Sequence, residues 1–199
     1  MMQRKKFQWS IKIPHNVILK KEQNEMLIIG PLGTSKATLS RIDPLGDVAF
    51  KVKDNTLFFC SSSKSFFRAF SSLLANKIYG VTRGYLVYLR ISGIGYRCVL
   101  ENQFFKNAIN NENILHKITK KGQILRLKVG FSHDLIFQIP DSIRLFLIEP
   151  TLICLYGIDK NQVTQIASKI REIQPPSVYK GKGIAFSEEV VILKQGKRK

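Results

Sequence analysis

In two stretches of this 199-residue chain apolar residues recur three and four apart over several turns. The first stretch places Phe66, Phe67, Phe70, Leu73, Leu74 and Ile78 on one side of a helix, because residues i, i+3 and i+4 share a helical face. Serines 61–63 offer N-caps and Gly80 a stop. The second predicts a helix over 160–173, with Val163, Ile166, Ala167, Ile170 and Ile173 as its buried stripe. Asp159-Lys160-Asn161-Gln162 has capping-box spacing. Pro175-Pro176 ends the helix, since proline cannot continue the ladder.

Short strands fill the space between. Ile11–Ile13, Val17–Leu19 and Met26–Ile29 lead into the Gly30-Pro31-Leu32-Gly33 turn, and Ala49–Val52 and Thr56–Cys60 flank Asp54-Asn55 as a hairpin. Leu86–Ile91, Tyr96–Leu100, Ile124–Val129, Leu135–Ile139, Ile143–Ile148 and Leu152–Tyr156 read as strands of a second group. Residues 101–123, rich in Asn and Lys, read as a loop or insertion that interrupts the fold, and Val190–Leu193 as a last strand. Strand runs thus lead into one helix twice. That order predicts an α+β fold of two tandem similar domains, each a small antiparallel sheet with one helix packed on a face. The expected division is a basic arm at 1–10, an N-terminal domain at 11–84, a C-terminal domain at 85–184, and a last strand with a basic tail at 185–199. The aromatic stripe of the first helix is expected to be core rather than a base-stacking platform.

Charge narrows the function. Thirty-two Lys and Arg face 14 Asp and Glu, a formal net charge of +18, which implies a polyanionic partner, nucleic acid or an anionic membrane surface. No apolar run approaches the ~20 residues of a membrane helix. The apolar face of 160–173 is committed to a sheet, which leaves no basic amphipathic helix for a membrane surface. The first ten residues carry charge with no apolar run after them, so no secretory signal is expected, and they are too short for an ordinary transit peptide. Cys60, Cys98 and Cys154 are odd in number and far apart. They exclude a disulfide framework and a C-x-x-C zinc site, and read as buried thiols in a reducing compartment.

Catalytic patterns fail on specifics. Gly93-Ile94-Gly95 opens a dinucleotide fingerprint, but Cys98 stands at the third glycine position and no helix follows. Gly181-Lys182-Gly183 lacks the upstream glycine and the Ser/Thr of a phosphate loop. His15, His116 and His133 are scattered, and Glu188-Glu189 as strand neighbours would point to opposite faces. No catalytic residue, metal or cofactor is expected. Nucleic-acid chemistry fits better. In Tyr179-Lys180-Gly181-Lys182-Gly183 the glycines let the backbone approach a phosphate, the lysines neutralise charge, and the ring can stack or hydrogen-bond. A tight solvated turn would have the same composition. Gly93-Ile94-Gly95-Tyr96-Arg97 shares the ingredients and the ambiguity, and the tail with Lys194, Lys197, Arg198 and Lys199 would ordinarily be a solvated end. The net charge moves all three toward RNA or DNA.

Read in order, these stretches resemble one family. They are Ile13-Pro14 with Val17, Gly30-Pro31-Leu32-Gly33, Ser72-Leu73-Leu74-Ala75-Asn76 with Gly80-Val81 and Gly84-Tyr85, Gly93-Ile94-Gly95-Tyr96-Arg97, Val129-Gly130-Phe131-Ser132-His133, and Gly157-Ile158-Asp159-Lys160. The most specific is Pro176-Ser177-Val178-Tyr179-Lys180-Gly181-Lys182-Gly183-Ile184. The chain resembles the family of the large ribosomal subunit protein numbered six in the universal naming. Bacterial members carry Glu and Pro where Ser177 and Val178 stand.

The resemblance implies two tandem similar domains. It also implies a structural, non-enzymatic role, binding large-subunit rRNA near the sarcin–ricin loop, the factor-binding region and the stalk base, with neighbouring ribosomal proteins there. In the family the C-terminal domain makes most of this contact. The carry-over is to Tyr179, Lys180, Gly181, Lys182 and Gly183, then to Gly93, Gly95, Tyr96 and Arg97. A composition rich in Ile, Phe, Asn, Lys and Ser and poor in Ala points to AT-rich coding. That favours a mitochondrial ribosome over a plastid or bacterial one. The competing reading is a free-standing basic RNA-binding protein with a regulatory role.

Overall fold

The computed structural model describes residues 7–21, 25–38, 49–53, 55–61, 63–106 and 119–196. The chain divides into two compact units, one running to Tyr85 and taking in Ile158–Lys160, the other comprising Leu86–Gly157 and Asn161–Lys199.

The first unit contains β1 (Phe7–Lys12), β2 (Ile18–Lys21), β3 (Glu25–Gly30), β4 (Gly33–Thr38), β5 (Ala49–Lys53), β6 (Thr56–Ser61) and α1 (Lys64–Thr82). Its strands form two antiparallel sheets, β1-β6-β5 and β2-β3-β4. Both β3 and β6 alternate between buried and more open positions, so Met26, Ile28, Leu57 and Phe59 enter the core. From α1 come Phe66, Phe70, Leu74, Ile78 and Val81. The Phe59 ring lies 5.5 Å from Phe67 and 5.2 Å from Phe70. The aromatic stripe is therefore core, where offset ring packing adds to area burial.

The ends of α1 correct the expectation. Ser63 occupies the N-cap in extended conformation, but its side chain makes no capping bond. Gly80 does not stop the helix; it lies inside it, against the Ile158 carbonyl, where a Cβ would collide. The stop comes at Gly84, at φ +77, whose N–H donates to the Gly80 carbonyl at 3.0 Å. The glycine signal at 80 came from close approach, a contact invisible in a one-dimensional pattern.

The second unit contains β7 (Tyr85–Ser92), β8 (Arg97–Lys106), β9 (Thr119–Lys128), β10 (Leu135–Ile139), β11 (Ile143–Glu149), β12 (Leu152–Gly157), α2 (Lys160–Ile173) and β13 (Gly183–Phe186). Its sheets are β10-β9-β8 and β11-β12-β7-β13. Their inner faces meet Val163, Ala167 and Ile170 of α2 in one core with Leu89, Leu125, Leu127, Leu145, Ile153 and Leu155. The fold is thus α+β, two similar units of small antiparallel sheets with one helix each. Strand β13 follows α2 and pairs with β7; in the first unit no strand of its own follows α1.

Two further expectations change. Residues 101–106 and 119–123 are strand rather than loop: β8 runs on to Lys106 and β9 starts at Thr119, in unbroken register from Arg97↔Lys128 to Lys106↔Thr119. The buried residues Cys98, Leu125 and Leu127 set that register near the core, and the polar extension follows it outward. Residues 107–118 of that insertion lie outside the described residues. The last strand is β13, not Val190–Leu193. Ile184 is fully buried in the core, whereas Val190 and Ile192 are 86% and 82% exposed and join no ladder among the described residues. An apolar run with no core left to cover does not become a strand.

Cys98 and Cys154 are buried. Burial pushes the Cys98 thiol up to about 11, and it donates to the Pro150 carbonyl at 3.0 Å. Both thiols should resist alkylation at pH 8 in the native protein and react on unfolding, because the thiolate is the nucleophile. Mass mapping after a short iodoacetamide pulse checks this; native labelling of Cys98 within that pulse would contradict its placement.

Candidate nucleic-acid interface

Helix α2 ends before Pro175-Pro176, and the chain must turn back to enter β13. It does so through residues 177–182. The Gly181 N–H donates to the Ser177 carbonyl at 2.8 Å, and the Ser177 N–H donates to the Lys182 carbonyl at 2.9 Å. Closing so tight a loop needs left-handed backbone, supplied by Gly181 at φ +66. At Gly183, φ is +142 and a Cβ would stand 2.6 Å from the Pro175 carbonyl oxygen and 2.7 Å from Pro176 Cα. The loop is anchored at this glycine, and next to it the Ile184 N–H donates to the Gln174 carbonyl at 2.8 Å. Tyr179 stands 64% exposed, Lys180 is exposed and Lys182 is half-buried.

The 92–97 turn meets this loop through β7–β13 pairing, in which Ser92 lies opposite Gly183. The Ser92 hydroxyl donates to the Gly181 carbonyl at 2.6 Å. Gly93 and Gly95 have φ +151 and +77, and the space around Gly95 is open. The ring of Tyr96 lies against Gly93 and its hydroxyl against Gly130. This half-buried ring packs on the core and shapes the turn, while Arg97 is exposed at the start of β8. The tail also reaches the loop. The Lys194 N–H donates to the Val178 carbonyl at 2.9 Å, and Leu193 sits beside Gly181. Lys197, Arg198 and Lys199, like the basic residues 4–6 of the N-terminal arm, lie outside the described residues.

The fold thus brings the 92–97 turn to the Gly/Lys loop, far from it in sequence, and folds Lys194 back onto the same loop. Among the described residues, Lys180, Lys182, Lys194 and Arg97 make no ion pair. Glu189, just beyond β13, is paired with Arg171, whose Nε and Nη2 donate to its carboxylate at 2.9 and 2.6 Å. These bonds hold the Glu189 carboxyl below its ordinary range. Its folded pKa is depressed, so the pair contributes stability above the unfolded glutamate value of ~4.3. That contribution is lost as pH falls through the folded value. Glu189→Gln should lower stability by about 0.5–1 kcal/mol at pH 7. The difference from wild type should vanish in the acid limb of a pH series of denaturant melts. A gap that persists at pH 2 would mean that the carboxylate charge is not what stabilises.

Sequence reasoning missed Ser92, Ser177 and Leu193. Their roles come from pairing and backbone closure, and no residue-type pattern marks them. Among the described residues no group of three or more His, Cys, Asp or Glu could hold a metal ion.

Residues 116–187 match the family model described as Ribosomal protein L6. The chain is 38% identical over 193 residues to large ribosomal subunit protein uL6m of Prototheca wickerhamii, covering 95% of each chain. It is 31% identical over 194 residues to uL6 of Afipia carboxidovorans, covering 95% of this chain and 96% of that one. It is 32% identical over 193 residues to uL6 of Campylobacter jejuni, covering 94% and 93%.

Proposed function

The chain belongs to the uL6 family of large ribosomal subunit proteins, and we propose that it is a structural, non-catalytic constituent of that subunit which holds rRNA through the edge of its second unit. The observation that carries this reading is the convergence of Lys180, Lys182, Lys194 and Arg97 around two glycine turns joined by the Ser92–Gly181 hydrogen bond. Unpaired cations on a rigid backbone neutralise phosphates and release counterions. Open glycine turns let the backbone come close, and exposed Tyr179 offers a face to an unstacked base. Recognition is then of RNA shape and backbone, with no reading of paired sequence.

In this reading the edge lies on rRNA near the sarcin–ricin loop and the factor-binding region, with ribosomal proteins of the stalk base as neighbours. The ribosome in this reading is a mitochondrial one, supported by 38% identity to the uL6m relative over 95% of each chain and by a composition of the kind AT-rich coding produces. The test is a salt titration of the full chain on a large-subunit rRNA fragment carrying the sarcin–ricin loop. Log K should fall by about 0.7–0.9 per neutralised phosphate for each decade of salt. Salt-independent binding, or equal binding to an unrelated RNA hairpin, would overturn the assignment.

A further inference from the structure

The structure assigns a second RNA surface to the C-terminal unit, the open face of its four-stranded sheet, which would take an unpaired RNA segment; this inference rests on the RNA-binding reading above. The sheet runs β11-β12-β7-β13. Its inner face carries Leu89, Ile91, Leu145, Ile153, Leu155 and Ile184 into the core beneath α2. Strand alternation turns the intervening residues outward; among them Tyr88 is 40% and Phe146 49% exposed.

Phe146 pairs with Cys154 across β11–β12, and the Tyr88 side chain lies beside the Cys154 sulfur. The two rings therefore flank one residue, on strands roughly 10 Å apart at two strand spacings. Arg90 stands next to Tyr88 on this face and Arg144 next to Phe146. Both are exposed, and neither makes an ion pair among the described residues. The four strands hold a single acid, Glu149, at the end of β11.

Aromatic faces beside free guanidinium groups suit unpaired RNA: bases stack on the rings and phosphates meet the arginines. A protein partner could also cover an apolar sheet face, but two unpaired cations against one distant carboxylate complement a polyanion. Continuity points the same way. Along β7 the outward residues run Tyr88, Arg90, Ser92, and the Ser92 hydroxyl holds the Gly/Lys loop. An RNA strand gripped at Lys180 and Lys182 is thereby led onto the sheet.

The experiment titrates the full chain with a fluorescein-labelled 12-nucleotide oligouridylate in ~0.1 M salt, wild type against Tyr88→Ala/Phe146→Ala. The folded double variant should bind at least about tenfold more weakly. Its slope of log K against log salt should be unchanged, because stacking releases no counterions. Wild-type affinity in the folded variant would overturn the sheet surface. The loop reading would still stand if Lys180→Ala/Lys182→Ala weakens binding to the rRNA fragment. A variant that binds RNA normally yet leaves the large subunit would assign the face to a protein, which also overturns the proposal. Should the double variant fail to fold, ultraviolet cross-linking of the wild-type chain to the same oligonucleotide decides. Adducts are expected in peptides carrying Tyr88 or Phe146, and their absence from both refutes the surface.

Discussion

Replacing Lys180 and Lys182 together by alanine is expected to weaken binding to large-subunit rRNA on the order of 30-fold at ~0.1 M salt. The magnitude follows from counterion release. Each neutralised phosphate contributes about 0.7–0.9 to the slope of log K against log salt, hence roughly five- to eightfold per contact at that concentration. Two contacts multiply. The variant's salt slope should be shallower by about 1.5, and the two proteins should approach equal affinity as salt nears 1 M. The fold should not change. Lys180 is exposed, Lys182 is half-buried, and neither is ion-paired among the described residues. The loop is closed by backbone bonds from Ser177 and Gly181 that alanine preserves. Equal affinity and equal slope in variant and wild type would remove the loop from RNA binding.

Gly183→Ala should be the most damaging single-methyl change near the interface. The residue sits at φ +142, and the new Cβ would meet backbone atoms of Pro175 and Pro176 at 2.6 and 2.7 Å. Backbone strain alone costs about 1–3 kcal/mol. The prolines cannot yield without displacing the end of α2, and overpacking adds a similar amount. A loss of about 3 kcal/mol or more is expected, lowering Tm by roughly 10 °C or more. RNA affinity should fall as well, because β13 sets the position of the loop. Gly95→Ala is the contrast. It shares a left-handed φ of +77, but nothing lies within 4 Å of its Cβ, so about 1 kcal/mol is expected. Differential scanning of both variants separates strain from collision. Equal Tm losses would show that the approach at Pro175-Pro176 is not a constraint.

Much of this was legible because local periodicity and local chemistry agreed. Phe66, Phe70, Leu74 and Ile78 announced α1, and the same spacing showed that the aromatic stripe was core. The alternation in Leu125, Leu127 and Val129 marked a strand with one buried face. The readings that failed depended on tertiary contacts. Gly80 read as a stop because a glycine's need for close approach to Ile158 cannot be told from a need for positive φ. Residues 101–106 and 119–123 read as loop because polar composition hid a register set by Leu125 and Leu127. Val190–Leu193 read as a strand because β propensity outweighed the lack of a pairing strand among the described residues. At the interface the lysines and glycines were legible as chemistry. Their meeting was not, since it depends on β13 lying beside β7 and on the Ser92 hydroxyl reaching Gly181.

If the basic loop holds this chain in a large ribosomal subunit, sucrose-gradient sedimentation of organelle lysate will show it, with the wild-type chain and Lys180→Ala/Lys182→Ala probed at low and high salt. The account predicts that wild type co-migrates with the large subunit of the mitochondrial ribosome at low salt. The variant should be released at a lower salt concentration than wild type. Wild type remaining at the top of the gradient at low salt, free of the subunit, would contradict the account and leave a basic two-domain RNA binder outside the ribosome.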